Sequence, residues 1–94
     1  MILMVVNATF KPETLSQAIN IYEKLVLAGR AAEGCLEYAV YQDVENEYAL
    51  TVMESWAKEQ ALETYMQSAP FQELVPQLMA LRESVTLHRF EQII

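Results

Sequence analysis

Few side chains in this 94-residue chain have a type and a setting suited to chemistry. Asn7 lies inside the otherwise apolar run ILMVVNATF, where a buried amide must find a hydrogen-bond partner or a ligand. Glu54 and Trp56, the latter the only tryptophan, stand two residues apart, so in a strand they share a face. Glu54 is then either a part-buried general base, its pKa raised by desolvation, or a carboxylate that reaches water or an arginine at the sheet end. Trp56 is either a pocket wall or core. Tyr65 could donate to a substrate oxygen, or it packs with a wet hydroxyl. His88, the only imidazole, titrates near neutrality when unperturbed, and one histidine cannot build a metal site by itself. Cys35 is the only cysteine, which rules out an intrachain disulfide and a cysteine-based metal cluster, and it reads as a small buried hydrophobe.

These residues depend on elements that the sequence pattern lays out in order. Residues 2–10 are β-branched and aliphatic and stop at Lys11-Pro12, as a strand does. From Thr14 the period changes: Leu15, Ala18, Ile19, Tyr22, Leu25 and Val26 follow helical spacing, with Thr14 and Gln17 as a capping box and Gly29 as the stop signal. Gly34 opens a hairpin of Cys35–Asp43 and Tyr48–Trp56. In it Leu36, Tyr38 and Val40 share one face, and Leu50, Val52, Glu54 and Trp56 share another. A short helix is predicted over Lys58–Gln67. Ser68 and Pro70 then open a second, with a kink or weak stretch at Pro76. The segment Ser84–Ile94 alternates and reads as the last strand, with His88 on a dimer side or barrel rim.

The order β-α-β-β-α(α)-β is the split βαβ, or ferredoxin-like, pattern of an α+β fold, and 94 residues suffice for one domain over 1–94. Its helices cover one face of an antiparallel sheet, and a monomer should wet the other. Here that other face carries Met, Val, Ala, Phe, Thr and Tyr side chains, in a chain that is 53% hydrophobic and 20% charged. An apolar face of that size marks an interface, so the sequence predicts a homodimer packed sheet against sheet into an α+β barrel.

Formal net charge is −7, from 13 acidic and six scattered basic residues. Such a surface repels nucleic-acid phosphates and anionic membranes, so neither is an expected partner. The N-terminal run has no basic region before it, carries Asn7 and Thr9 within it, and is too short to span a bilayer. The expected location is the cytoplasm, where a lone thiol stays reduced.

Gly34-Cys35-Leu36-x-Tyr38-x-x-Tyr41-x-Asp43, then Glu54-x-Trp56, Ala61-Leu62 and Pro70-Phe71, resembles the antibiotic biosynthesis monooxygenase (ABM) domain family along nearly the whole chain. The resemblance implies the dimeric ferredoxin-like α+β barrel reached above. That family spans cofactor-free monooxygenases of polycyclic phenols and quinols, heme-degrading monooxygenases, an isomerase of a small signalling sugar derivative, and members without known activity. In the cofactor-free branch an apolar pocket holds an electron-rich aromatic, and its deprotonation allows direct reaction with dioxygen.

Carried over by position, Asn7 and Trp56 match polar and aromatic pocket positions of the heme-degrading branch. The resemblance thus implies Asn7 and Trp56 as catalytic candidates, with Tyr65, Phe71 and Glu54 lining the substrate. The heme-ligating histidine of that branch falls on Val75, which disfavours heme. Two further histidines common among relatives fall on Tyr65 and Pro70. The leading expectation is a monooxygenase without metal or organic cofactor, acting on a quinol-like or polycyclic aromatic. The alternative is a non-catalytic dimeric module that binds a small molecule or serves in stress, and heme degradation comes third.

Overall fold

The computed structural model describes residues 1–94. Strand β1 (Ile2–Phe10) leads through a 3-10 turn (Pro12–Thr14) into helix α1 (Leu15–Ala31). A hairpin of β2 (Cys35–Gln42) and β3 (Ala49–Trp56) follows, then α2 (Glu59–Met66), α3 (Ala69–Leu81) and β4 (Arg82–Glu91). The four strands are antiparallel in the order β2-β3-β1-β4, and the helices lie on one side of them. This is the ferredoxin-like α+β arrangement that the alternation of periods predicts.

Register explains how the sheet separates its faces. Met4 lies opposite Glu54, Ala8 opposite Leu50, and Val40 opposite Val52, so the even positions of β1 to β3 meet on the helix side. There Met4, Ala8, Phe10, Leu50 and Val52 pack under Ala18, Ile21, Tyr22 and Leu25 of α1, with Leu62 of α2 and Leu74 and Leu78 of α3. The odd positions, among them Leu3, Val5, Ala39, Tyr41 and Met53, face away from the helices. β4 takes the edge beside β1, and its Phe90 and Leu87 are each about half exposed.

Several local expectations are revised. A bulge between Cys35 and Glu37 places Cys35 opposite Trp56 and leaves Leu36 62% exposed, so Leu36 does not share the face of Tyr38. Gly29 does not end α1, which runs on to Ala31. It is buried beneath Tyr38, and a Cβ there would overlap the Tyr38 ring, so close approach rather than turn geometry requires the glycine. The Thr14 hydroxyl donates to the Lys11 carbonyl and makes no cap to α1, so no capping box forms. Ser68 does stand at the N-cap of α3, yet its hydroxyl donates to the Tyr65 carbonyl (2.6 Å). α3 continues through Pro76, whose exposed position lets the carbonyl it leaves unpaired turn to water. β4 ends at Glu91, three residues short of the predicted strand end.

Candidate active site

Glu54 is the one buried carboxylate, 6% exposed, at the second-last helix-facing position of β3. Its neighbours across the sheet are Tyr38 on β2 and Met4 on β1. Trp56, two residues on and fully buried, folds its indole back so that Nε1 donates to Glu54 Oε1 (3.1 Å). The Tyr38 hydroxyl, from the facing position on β2, also favours the ionised carboxylate. Neither donor carries a full charge. Arg89, on the same row beyond Met4, pairs with Glu59 instead (3.2 Å). Burial therefore outweighs both neutral donors and pushes the Glu54 pKa up to about 7, so the carboxyl is part-ionised at neutral pH.

Tyr65 of α2 connects this pair to the helices. Its hydroxyl donates to Tyr38 Oη (3.1 Å) and lies 3.3 Å from the Leu25 carbonyl of α1. Its ring stacks on Trp56 (5.1 Å between centroids, 29°) and meets Phe71 and Tyr38 edge-on at 5.5 and 5.7 Å. Burial raises both phenols, Tyr65 to about 12 and Tyr38 well beyond the usual tyrosine range. Both stay neutral in the physiological range and can pass a proton only as hydroxyls.

Four of the five residues singled out from sequence thus come together: Glu54, Trp56, Tyr65 and Phe71 form one aromatic cluster around a carboxyl. Asn7 does not join them. It projects from the opposite face of the sheet, exposed, where its Oδ1 accepts from the Thr51 hydroxyl and its Nδ2 donates to Thr86 Oγ1 (3.4 Å). A strand residue of odd parity on β1 cannot reach the even-numbered face. The residue overlooked was Tyr38. Its signal was present in the hairpin pattern, because the strand partner of Glu54 on β2 shares its face.

The cluster is packed rather than hollow, and two clefts touch its edges. Tyr65 lines one of about 380 Å³ between α1, α2 and the start of α3, with Ala28, Ala32, Ala61 and Ser68. Tyr38 lines another of about 360 Å³ at the outer edge of β2, with Arg30, Cys35 and Leu36. Burial and the Glu54 charge push the Cys35 thiol up, which makes it a poor nucleophile. No group of three or more His, Cys, Asp or Glu side chains is arranged to hold a metal ion. Val75 offers no ligand atom to a heme from α3, and His88 lies opposite Val5 on the face turned away from the helices. The residues present do not fit an axially ligated heme.

No helix is long and apolar enough to cross a membrane. A four-stranded antiparallel sheet with helices on one side and an aromatic, carboxyl-bearing cluster beneath them defines the class: a ferredoxin-like α+β domain. The family model for antibiotic biosynthesis monooxygenase matches residues 1–77, and the chain belongs to that family.

Among solved structures, a conserved protein from Methanosarcina mazei is 29% identical with a TM-score of 0.93, covering 97% of this chain and 91% of that one. SnoaB from Streptomyces nogalater, a cofactor-independent oxygenase, is 11% identical with a TM-score of 0.88, covering 99% and 93%, a likeness of fold alone. The Bacillus subtilis protein named Putative monooxygenase YcnE is 29% identical over 75 residues, 80% of this chain and 79% of that protein. The uncharacterised Synechocystis protein sll1783 is 24% identical over 89 residues. The match takes in 92% of this chain but spans only 60% of that protein's length.

Proposed function

We propose that this chain is a monooxygenase that needs no metal or organic cofactor and acts on a quinol-like or polycyclic aromatic molecule. The observation that carries the reading is Glu54: a buried carboxyl near neutrality, held by an indole inside an aromatic cluster. A general base works best when its pKa lies near the operating pH. Tyr65 and Tyr38 supply a route to it. A substrate hydroxyl or activated C–H in the Tyr65 cleft loses its proton to the Tyr65 oxygen as Tyr65 hands its own to Tyr38, and Tyr38 hands its own to Glu54, its partner across the sheet.

The resulting carbanion or phenolate passes one electron to dioxygen, and the radical pair combines to a peroxide at carbon. For an anthrone-type methylene, loss of water from that peroxide leaves a ketone. One oxygen atom enters the product and the other leaves as water, with the substrate as the only reductant. Apolar walls exclude the water that would quench the anion. Trp56 holds the base, while Tyr65, backed by Trp56 and Phe71, is the ring of the cluster that lines the cleft.

The working unit in this reading is a homodimer closed through the outer sheet face, where Leu3, Val5, Ala39, Tyr41 and Met53 lie together. Asn7 belongs to that face, bonded to Thr51 and Thr86 across three strands, and its role is at the subunit contact.

Oxygen uptake with anthrone or reduced naphthoquinone in metal-free buffer tests the reading, with Glu54→Gln as the control. Uptake above the spontaneous rate that Glu54→Gln removes supports it; a rate equal to the spontaneous one across such a panel sinks it. A second reading has its own observation, since Glu54 lines none of the clefts described. In that case the chain is a binding module, stabilised against heat by an aromatic that it leaves chemically unchanged.

A further inference from the structure

An apolar groove of about 560 Å³ runs between α1 and the outer strand β2, beside the cluster just described. That volume is typical of a site for a small organic molecule. Tyr22, Val26, Val40 and Leu50 form its floor, and Leu27 and Tyr41, both substantially exposed, stand at its rims. The Tyr22 hydroxyl is the only buried side-chain polar atom in the molecule without a hydrogen-bond partner.

Arg30 closes the end nearest Tyr38. Its Nε donates to the Tyr38 carbonyl (3.0 Å), which fixes the guanidinium and leaves its terminal amino groups free. The only ion pair in the chain is Arg89 with Glu59, so Arg30 has no carboxylate partner, not even Glu23 on the same groove. An anchored, unpaired guanidinium at the end of an apolar trough is a receptor for a planar anion, because its fork matches a carboxylate bidentately.

We propose that the α1–β2 groove seats a flat molecule with an apolar ring body and one carboxylate group, which pairs with Arg30. Val40 and Tyr38 share a strand and a face, so the groove floor lies two residues along β2 from Tyr38, the middle member of the hydroxyl chain to Glu54. The inference rests on the reading that this chain takes a small aromatic, and not on its turning one over.

Titration with 1-hydroxy-2-naphthoate, followed by ligand fluorescence and backbone amide NMR, tests it against 2-naphthol, which has the ring but no carboxylate. Saturable naphthoate binding should shift amides along α1 and β2. Arg30→Gln should weaken naphthoate about tenfold or more and leave 2-naphthol within about twofold, given the strength of a bidentate charged pair. Leu27→Glu, a change at an exposed rim, should weaken both ligands.

Naphthoate affinity indifferent to Arg30→Gln overturns the proposal, as do shifts confined to the Tyr65 cleft or the outer sheet face. Groove shifts that follow protein concentration without ligand also overturn it, since a second copy then covers the groove. Groove binding without oxygen uptake leaves this site standing and removes the oxygenase reading. Oxygen uptake without any naphthoate-induced shift along α1 and β2 does the reverse.

Discussion

The indole Nε1 of Trp56 donates to Glu54 Oε1 across 3.1 Å, with both residues buried, so one strand end carries a carboxyl and its own hydrogen-bond donor. The donor is neutral, and that decides the behaviour of the acid. An arginine in the same place would hold the carboxylate ionised throughout, whereas an indole only softens the cost of burying it.

Stability should therefore fall as pH rises through the neutral range. Glu54 titrates near 4.5 when unfolded and at about 7 when folded, so the folded chain binds the extra proton between those values. The stabilisation is full below the unfolded pKa and lost as pH passes the folded one, up to about 3 kcal/mol in all. Urea unfolding from pH 4.5 to 8 measures the slope. Glu54→Gln should flatten it and leave the variant more stable than the parent above pH 7.

Trp56→Phe keeps a ring but removes the N–H. Because that hydrogen bond lowers the Glu54 pKa, its loss should move the carboxyl midpoint upward, as followed by carbon-13 NMR of the labelled glutamate. A midpoint that stays put or falls would show that the indole does not hold the charge.

Tyr65→Phe removes the hydroxyl between Tyr38 and the Leu25 carbonyl while keeping the stack on Trp56. It should cost about 1 kcal/mol of stability, the usual worth of one hydrogen bond. If the hydroxyl chain carries the substrate proton, oxygen uptake should drop far more than that stability loss accounts for, and the dependence of rate on pH should change shape.

Gly29→Ala tests the packing that holds Tyr38 in place. The added methyl overlaps the Tyr38 ring, so the helix or the ring must shift, with a loss of about 1–3 kcal/mol. A lower thermal midpoint together with altered Trp56 fluorescence is the expected outcome. An unchanged midpoint would mean that α1 sits farther from β2.

Val5→Lys, in the middle of the outer sheet face and opposite both Met53 and His88, should leave the core intact. In light scattering the parent chain should run as a dimer and the variant as a monomer. A monomeric parent would remove the dimer from the proposed function.

Much of this was legible in the sequence because period is a local property. Alternation in residues 2–10 and 48–56 and helical spacing from Leu15 onward followed from the residues themselves, and with them the ferredoxin-like order. The pairing of Glu54 with Trp56 on one face needed only the two-residue repeat of a strand. Family membership was legible for the same reason, since its motif residues sit at fixed positions within those elements.

Only the tertiary structure decided what crosses between elements. Gly29 reads as a helix stop until Tyr38 is seen to occupy the space of its side chain. Leu36 reads as core until a bulge hands its place to Cys35. Asn7 reads as a site residue until the parity of β1 turns it to the other face, onto Thr51 and Thr86. Glu54 acquires its raised pKa only because the elements packed around it shut out water and bring it no cation. Strand register and helix docking set these distances, and no single segment contains them.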